Sequence, residues 1–279
     1  MIVDFHAHVL PPMVRDNRSR YVEKDAAFAS IYKEAKAAIV TAEDLIDSMD
    51  RHEIDITVIV NYSWSTADMC RETNDYILET CARYPDRIAG FCATADLTSD
   101  ESLREIERCA SGGARGIGEL RPDFYPDVFS DRTATAPFAN LLRQHNLLLL
   151  LHTSEPVGHQ YPGKGKAVPG LIYSFLSDFP DITTICAHWG GGLPFYNLMP
   201  EAHELFINTY FDTAASPFLY RPGIYEQVVR LAGAEKVLFG SDYPVMSPQQ
   251  ILNEIIAADI TQPEREQILG GNGRLLLGR

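Results

Sequence analysis

The stretch MIVDFHAHVLPP, residues 1–12, places two histidines, His6 and His8, at the end of a short apolar run. In an extended strand, side chains two residues apart point to the same face, so the two imidazoles project together. Two imidazoles on one face can bind one metal ion, but such a pair is also found in ordinary hydrogen-bonded positions. The rest of the chain has to distinguish these interpretations.

Seven further apolar runs follow the first, and amphipathic helical patterns separate them. This alternation predicts parallel strands joined by crossover helices. The predicted strands are Ile2–His8, Asp55–Tyr62, Ile88–Ala93, Ala114–Leu120, Leu147–His152, Ile182–His188, Phe206–Thr213 and Val237–Asp242. The predicted helices are Thr41–His52, Thr66–Tyr84, Asp100–Ser111, Thr135–His145, Val168–Asp178, Leu193–His203, Gly223–Ala232 and a last stretch from Ser247.

The length of 279 residues fits one barrel of this kind, since a (β/α)8 barrel needs about 250. No repeat, linker or break in composition divides the chain, so we predict a single α/β domain over residues 1–279, a distorted (β/α)8 TIM barrel with a helical insertion after strand 1. The alternative is an open doubly wound sheet. That fold usually has a glycine-rich phosphate loop after its first strand, where this chain has His-Ala-His.

The insertion covers residues 13–40. Phe28, Ile31, Tyr32, Ala35 and Ile39 recur in it at helical spacing, which predicts an amphipathic helix. We expect this helix to be a lid over the barrel mouth, with a subunit contact as the alternative. A homodimer is the expected assembly.

Charge and composition exclude several kinds of partner. The chain carries 38 acidic and 24 basic residues, a net charge of −14, so a phosphate backbone meets repulsion and no nucleic-acid partner is expected. No apolar run approaches the roughly 18 residues of a membrane span. The first residues show no export signal, and the five cysteines contain no Cys-x-x-Cys pair, which predicts reduced thiols in a cytoplasmic protein.

Ionisable residues stand at the carboxyl ends of five predicted strands, the end that faces the active site of a parallel barrel. Burying such groups is costly unless they are paired or bind a cation, so their convergence predicts a metal site. The proposed ligands are His6, His8, His152 and Asp242, and Asp242 can also accept a proton. Glu119 bridges a second ion or hydrogen-bonds a ligand histidine, and His188 binds that ion or polarises a substrate oxygen.

This donor set suits zinc, manganese, iron or cobalt, with zinc as the first expectation and one or two ions per chain. Four residues in loops at the same rim are candidates for contact with a small-molecule substrate: Trp64, Arg121, Tyr125 and His159. Arg121 either binds a substrate carboxylate or pairs with an acid of its own loop.

Four elements, in this order, resemble the amidohydrolase superfamily, in particular its amidohydrolase-related (amidohydrolase 2) TIM-barrel metal-dependent hydrolases: DFHAHVLPP, the strand-end His152, AHWGGGLPF and LFGSDYP. The resemblance implies a barrel with divalent metal at its mouth and metal-activated water that attacks a carbonyl-type carbon. It implies His6, His8, His152 and Asp242 as ligands, Asp242 also as the base, and His188 as a ligand or electrophilic aid.

The same branch contains decarboxylases similar to aminocarboxymuconate semialdehyde decarboxylase. Glu119 in GIGEL resembles the strand-four glutamate of binuclear hydrolases, which those decarboxylases generally lack. We therefore expect a hydrolase of a C–N or C–O bond (amide, lactone or ester) in a small carboxylated substrate. The alternative is a metal-dependent non-oxidative decarboxylase of a cyclic or unsaturated carboxylic acid. A non-catalytic binding protein would show a gap among the site residues, and the sequence shows none.

Overall fold

Eight parallel strands, each hydrogen-bonded to the next along the chain, form the centre of the computed structural model, which describes all 279 residues. A bridge between Ala7 and Tyr243 and a hydrogen bond from the Phe5 N–H to the Phe239 carbonyl (2.7 Å) connect the first strand to the last segment. The predicted (β/α)8 barrel is confirmed. The strands are β1 Val3–Ala7, β2 Ile56–Val60, β3 Ile88–Cys92, β4 Gly116–Leu120, β5 Leu148–Leu151, β6 Thr184–Cys186, β7 Thr209–Asp212 and β8 Val237–Leu238.

Fifteen helices surround the strands or lie in the loops between them. None of them combines the length and apolar character that a bilayer span requires. The helices are α1 Pro12–Asp16, α2 Arg18–Lys24, α3 Ala26–Tyr32, α4 Ala42–Arg51, α5 Ala67–Arg83, α6 Asp100–Ser111, α7 Pro126–Phe129, α8 Arg132–Gln144, α9 Pro169–Asp178, α10 Pro200–Leu205, α11 Ser216–Leu219, α12 Ile224–Ala232, α13 Pro248–Ala257, α14 Gln262–Glu266 and α15 Asn272–Leu277.

The strands are apolar on both faces because both faces are buried. One set of side chains packs inside the barrel, where the rings of Phe5 and Phe91 pack edge to face with their centroids 6.1 Å apart. The other set packs outward against the helices in a cluster of 47 buried residues. Because all eight strands are parallel, their carboxyl ends lie at one rim of the barrel. Polar side chains at this rim lie outside both the inner and the outer apolar core.

The insertion after β1 forms three short helices, α1 to α3, rather than one long helix. Its apolar residues make a separate small core with Trp64 from the loop after β2, and Phe28 stacks on that indole at 5.0 Å. Helix α3 ends at Tyr32, so Ile39 packs from an extended segment instead. Ile31 lines the cleft at the barrel mouth. The role as a lid stays a prediction.

Candidate active site

The strand ends bring six ionisable side chains to the barrel mouth, all of them buried: His6, His8, Glu119, His152, His188 and Asp242. Two of them follow their strands in an unusual backbone conformation. His188 has φ 56° and Asp242 has φ 63°, a left-handed region that non-glycine residues rarely adopt. Strain of this kind concentrates at functional sites, where the surrounding structure holds it.

Four of these side chains form a first group at the barrel mouth: His6, His8, Glu119 and Asp242. His6 Nε2 and His8 Nε2 are 3.1 Å apart, and Glu119 Oε2 lies 3.8 and 3.6 Å from them. Asp242 Oδ1 approaches the same two nitrogens at 3.7 and 3.3 Å. The donor atoms of His6, His8 and Glu119 therefore lie within 4.8 Å of one another, with Asp242 Oδ1 beside the two nitrogens.

The hydrogen bonds at Nδ1 of His6 and His8 place a proton on that nitrogen and leave Nε2 to face the site. His6 Nδ1 donates to Asp212 Oδ2 at 2.8 Å, and His8 Nδ1 donates to the Val60 carbonyl at 3.1 Å. The two Nε2 atoms then face each other across 3.1 Å, a spacing that requires a proton or a metal cation between them, because two lone pairs this close repel. The donors, their tautomers and their spacing thus fit a divalent metal ion.

Electrostatics around this group also favour positive charge. Burial lowers the pKa of His6, but the charges of Asp212 and Glu119 outweigh burial and hold that pKa well above its ordinary value. Burial raises the pKa of Glu119, yet the facing His152 and His6 hold it well below the usual range. Burial likewise raises the pKa of Asp242, and the His8 hydrogen bond and the charge of His6 more than reverse this. Both carboxylates are therefore ionised and stabilise a cation.

Glu119 connects the first group to a second one through its other oxygen. Glu119 Oε1 accepts hydrogen bonds from His152 Nδ1 at 2.8 Å and from His188 Nε2 at 3.2 Å. His152 Nε2 is hydrogen-bonded to Ser154 Oγ at 3.1 Å, so only Nδ1 faces the site. Burial lowers the pKa of His188, but Glu119 and Asp242 raise it to about 9. These three residues also have the arrangement of a cation site.

A cleft opens above these groups, and the candidate substrate contacts differ in their relation to it. Arg121 lines the cleft. Trp64, Tyr125 and His159 do not. Trp64 is buried against the insertion, the Tyr125 hydroxyl is buried without a hydrogen-bond partner, and His159 is exposed beside Phe218.

Sequence reasoning missed two contributors to the site. Asp212 ends β7 and accepts the His6 Nδ1–H, and the signal for it was present, because it is an acid that closes the apolar run Thr209–Phe211. Tyr62 stacks on the His8 ring at 4.3 Å, and its hydroxyl bonds that of Tyr32 from the insertion. No spacing rule connects Tyr32 to Tyr62, since the contact depends on how the insertion folds.

Known proteins match this chain over nearly its full length. The family model described as amidohydrolase matches residues 3–279. A gamma-resorcylate decarboxylase from Polaromonas sp. (strain JS666 / ATCC BAA-500) is 23% identical over 278 residues, which cover 82% of this chain and 84% of that protein. Other curated relatives are further gamma-resorcylate decarboxylases and a 2-amino-3-carboxymuconate-6-semialdehyde decarboxylase from Dictyostelium discoideum.

Solved structures share the fold. A 5-carboxyvanillate decarboxylase from Sphingomonas paucimobilis matches with a TM-score of 0.78 at 18% identity, over 99% of this chain and 98% of that one. A dihydroxybenzoic acid decarboxylase from Polaromonas sp. JS666, with bound manganese and the inhibitor 2-nitroresorcinol, matches with a TM-score of 0.74 at 18% identity, over 100% and 97% of the two chains.

The expectation of a hydrolase that cleaves a C–N or C–O bond is therefore wrong. The relatives are decarboxylases, which agrees with the alternative stated from the sequence. The expectation rested on the resemblance of Glu119 to the strand-four glutamate of binuclear hydrolases. A set of histidines and carboxylates around a cation can polarise either a water or a substrate oxygen, so the donor set alone does not distinguish the two reactions.

Proposed function

The chain belongs to the amidohydrolase family, and we propose that it is a metal-dependent non-oxidative decarboxylase of a cyclic or unsaturated carboxylic acid. The observation that carries the proposal is the agreement among curated relatives that cover three quarters or more of the chain, all of them decarboxylases. The cleft agrees with this class, because it ends at a buried group of cation donors with Glu119 and Asp242 ionised.

His6, His8 and Asp242, with Glu119 beside them, are the proposed ligands of one resident ion, and zinc and manganese both suit this set. A divalent cation bound there supplies positive charge that stabilises the negative charge developing on the substrate as CO2 leaves. Asp212 and the Val60 carbonyl keep the two imidazoles oriented, and the burial of the group limits its contact with bulk water.

Decarboxylation breaks the bond between the carboxyl carbon and the substrate, releases CO2, and requires a proton for the carbon that keeps the bonding electrons. His188 is the proposed donor of that proton. Its Nδ1 donates to the Ala214 carbonyl at 3.2 Å and its Nε2 to Glu119 Oε1, so both ring nitrogens carry hydrogen. His188 also lines the cleft, within reach of a bound substrate.

The reaction is tested with metal-loaded protein and a panel of aromatic and unsaturated carboxylic acids that includes 2,6-dihydroxybenzoate. We expect CO2 release and, in D2O, one deuterium at the carbon that lost its carboxyl group. The variant His188→Gln is expected to keep its metal and lose about 100-fold or more in rate. His203→Gln, on exposed surface in α10, is the matched control and should keep full activity. Cleavage of amides, esters or lactones without CO2 release would refute the proposal.

The metal content per chain tests the ligand assignment separately. One ion is expected, because the nitrogens of His152 and His188 that face Glu119 Oε1 both donate hydrogen bonds to it and so present no lone pair to a second ion. Mass spectrometry of protein purified without chelator gives both the count and the identity of the metal. Two ions that fall to one in Glu119→Ala would instead establish Glu119 as a bridge.

A further inference from the structure

Arg121 is the one lysine or arginine that lines the cleft, and its charge is already neutralised. Its Nε and Nη2 donate to the two carboxylate oxygens of Asp123 at 3.3 and 3.1 Å. Its Nη1 donates to the Gly163 carbonyl at 2.7 Å, and the Phe124 ring lies 4.8 Å from the guanidinium carbon. Three of the five N–H groups of the guanidinium are thus occupied, which leaves two.

The loop after β5 holds this ion pair in place. The Lys166 N–H donates to Asp123 Oδ2 at 3.0 Å. A Cβ atom at Gly165 would overlap both Arg121 Nη2 and Asp123 Oδ2, so the loop backbone lies directly on the pair. Burial raises the pKa of Asp123, but the hydrogen bond and charge of Arg121 outweigh it and keep that pKa below its ordinary value. Asp123 is therefore ionised. An anion that binds Arg121 has to replace Asp123 as its partner or lie beside its negative charge.

The other walls of the cleft offer no second cation. They are mostly apolar or aromatic: Ile31, Tyr62, Tyr161, Phe218, Leu219 and Val245. The nearby Lys164 ammonium is engaged by the carbonyls of Val157 and His159 at 2.7 and 3.0 Å. A substrate carboxylate outside the histidine group would lose water next to Asp123 and find no uncompensated charge in return.

We propose that this cleft selects a monocarboxylate: the single carboxylate is the one that leaves at the histidine group, the ring packs against the apolar walls, and the Arg121–Asp123 pair excludes a second carboxylate. Arg121 then serves as a donor of its two remaining N–H groups to neutral oxygens such as a hydroxyl or methoxy group. This inference rests on the proposed decarboxylase function and adds its substrate class.

The test compares two ligands that differ by one carboxylate, 2-methoxy-6-nitrophenol and 4-hydroxy-3-methoxy-5-nitrobenzoate. In each, a nitro group replaces the leaving carboxylate, so binding is measured without turnover by titration calorimetry on metal-loaded protein. We expect the wild type to bind the nitrophenol at least about tenfold more tightly, since a like charge beside Asp123 opposes the benzoate. Asp123→Asn restores a net positive charge to Arg121 and should reduce the ratio to about threefold or reverse it.

Asp127→Asn is the matched control, because Asp127 is exposed on α7 and makes no side-chain hydrogen bond to Arg121. It should leave the ratio unchanged. Tighter or equal binding of the benzoate by the wild type, a comparison that needs no variant, overturns the inference, as does an unchanged ratio in folded Asp123→Asn. Failure of both ligands to bind, together with no CO2 release from any acid, refutes the decarboxylase proposal itself and this inference with it.

Discussion

Replacing Asp212 with asparagine tests how the outer hydrogen bond of His6 controls the cation site. The Asp212 carboxylate is fully buried at the end of β7. One oxygen accepts from His6 Nδ1 at 2.8 Å, and the other accepts from the backbone N–H groups of His188 at 2.8 Å and Ala214 at 3.1 Å. All three partners are donors, which a carboxylate satisfies and an amide does not.

In Asp212→Asn the amide oxygen stays with the two backbone donors, so the NH2 group faces His6. His6 then has to present its Nδ1 lone pair to the amide and carry its proton on Nε2, the nitrogen that faces His8 and Glu119. That proton must leave before a cation binds. Loss of such an outer partner typically weakens metal affinity by about 10- to 100-fold, which corresponds to about 1.4–2.8 kcal/mol.

The measurement is a competition titration of the metal against a chromophoric chelator, with thermal unfolding of each metal-free variant to report the fold. Asp86→Asn is the control, since Asp86 is exposed and far along the chain from the site residues. We expect its metal affinity to equal that of the wild type. Folded Asp212→Asn with an affinity within about twofold of the wild type would refute the tautomer argument.

Three further variants test other parts of the structure. Tyr32→Phe removes the hydroxyl bonded to Tyr62, so we expect a loss of about 0.5–1.5 kcal/mol in urea unfolding and a raised KM. Gly165→Ala displaces the loop over Arg121, so KM should rise. The overpacking should also lower the free energy of unfolding by about 1–3 kcal/mol, seen as a lower melting temperature. Burial raises the pKa of Glu105, but an arginine on its own helix and other hydrogen bonds lower it overall. Its stabilisation is therefore present above the unfolded pKa of about 4.3 and is lost as pH falls through the lower folded value, so Glu105→Gln should lose less stability between about pH 6 and pH 3 than the wild type.

Sequence patterns predicted the barrel because its strands are buried on both faces and therefore read as apolar runs. The same property made the site residues recognisable in the sequence, because a histidine or acid at the end of an apolar run does not contribute to an apolar core. Asp212, at the end of β7, follows this rule as well as Asp242 does, although it was not among the predicted site residues. Metal ligation by these residues stays a prediction that metal content will test.

Segments without regular periodicity were predicted less well. The predicted helix over Leu193–His203 begins only at Pro200. Residues Trp189 to Gly192 all have positive φ, and Pro194 interrupts any continuation, so the chain after β6 turns tightly back over the barrel. Rim residues such as Trp64 and Tyr125 lie in loops, where position along the chain does not determine which way a side chain points.

Arg121 shows why the charge counted in a sequence differs from the charge a ligand meets. Its place after β4 suggested a fork for a substrate carboxylate, and its location in the cleft agrees with that idea. The structure pairs it with Asp123, two residues away, which is the alternative also stated from the sequence, and the loop closes over the pair. Outside the histidine group the cleft then offers no uncompensated positive charge, and the proposed cation is the remaining positive centre. In the proposed reaction, an anionic substrate therefore has one favourable place for its carboxylate, at this cation beside His188, and His188 would return a proton to the carbon that loses CO2.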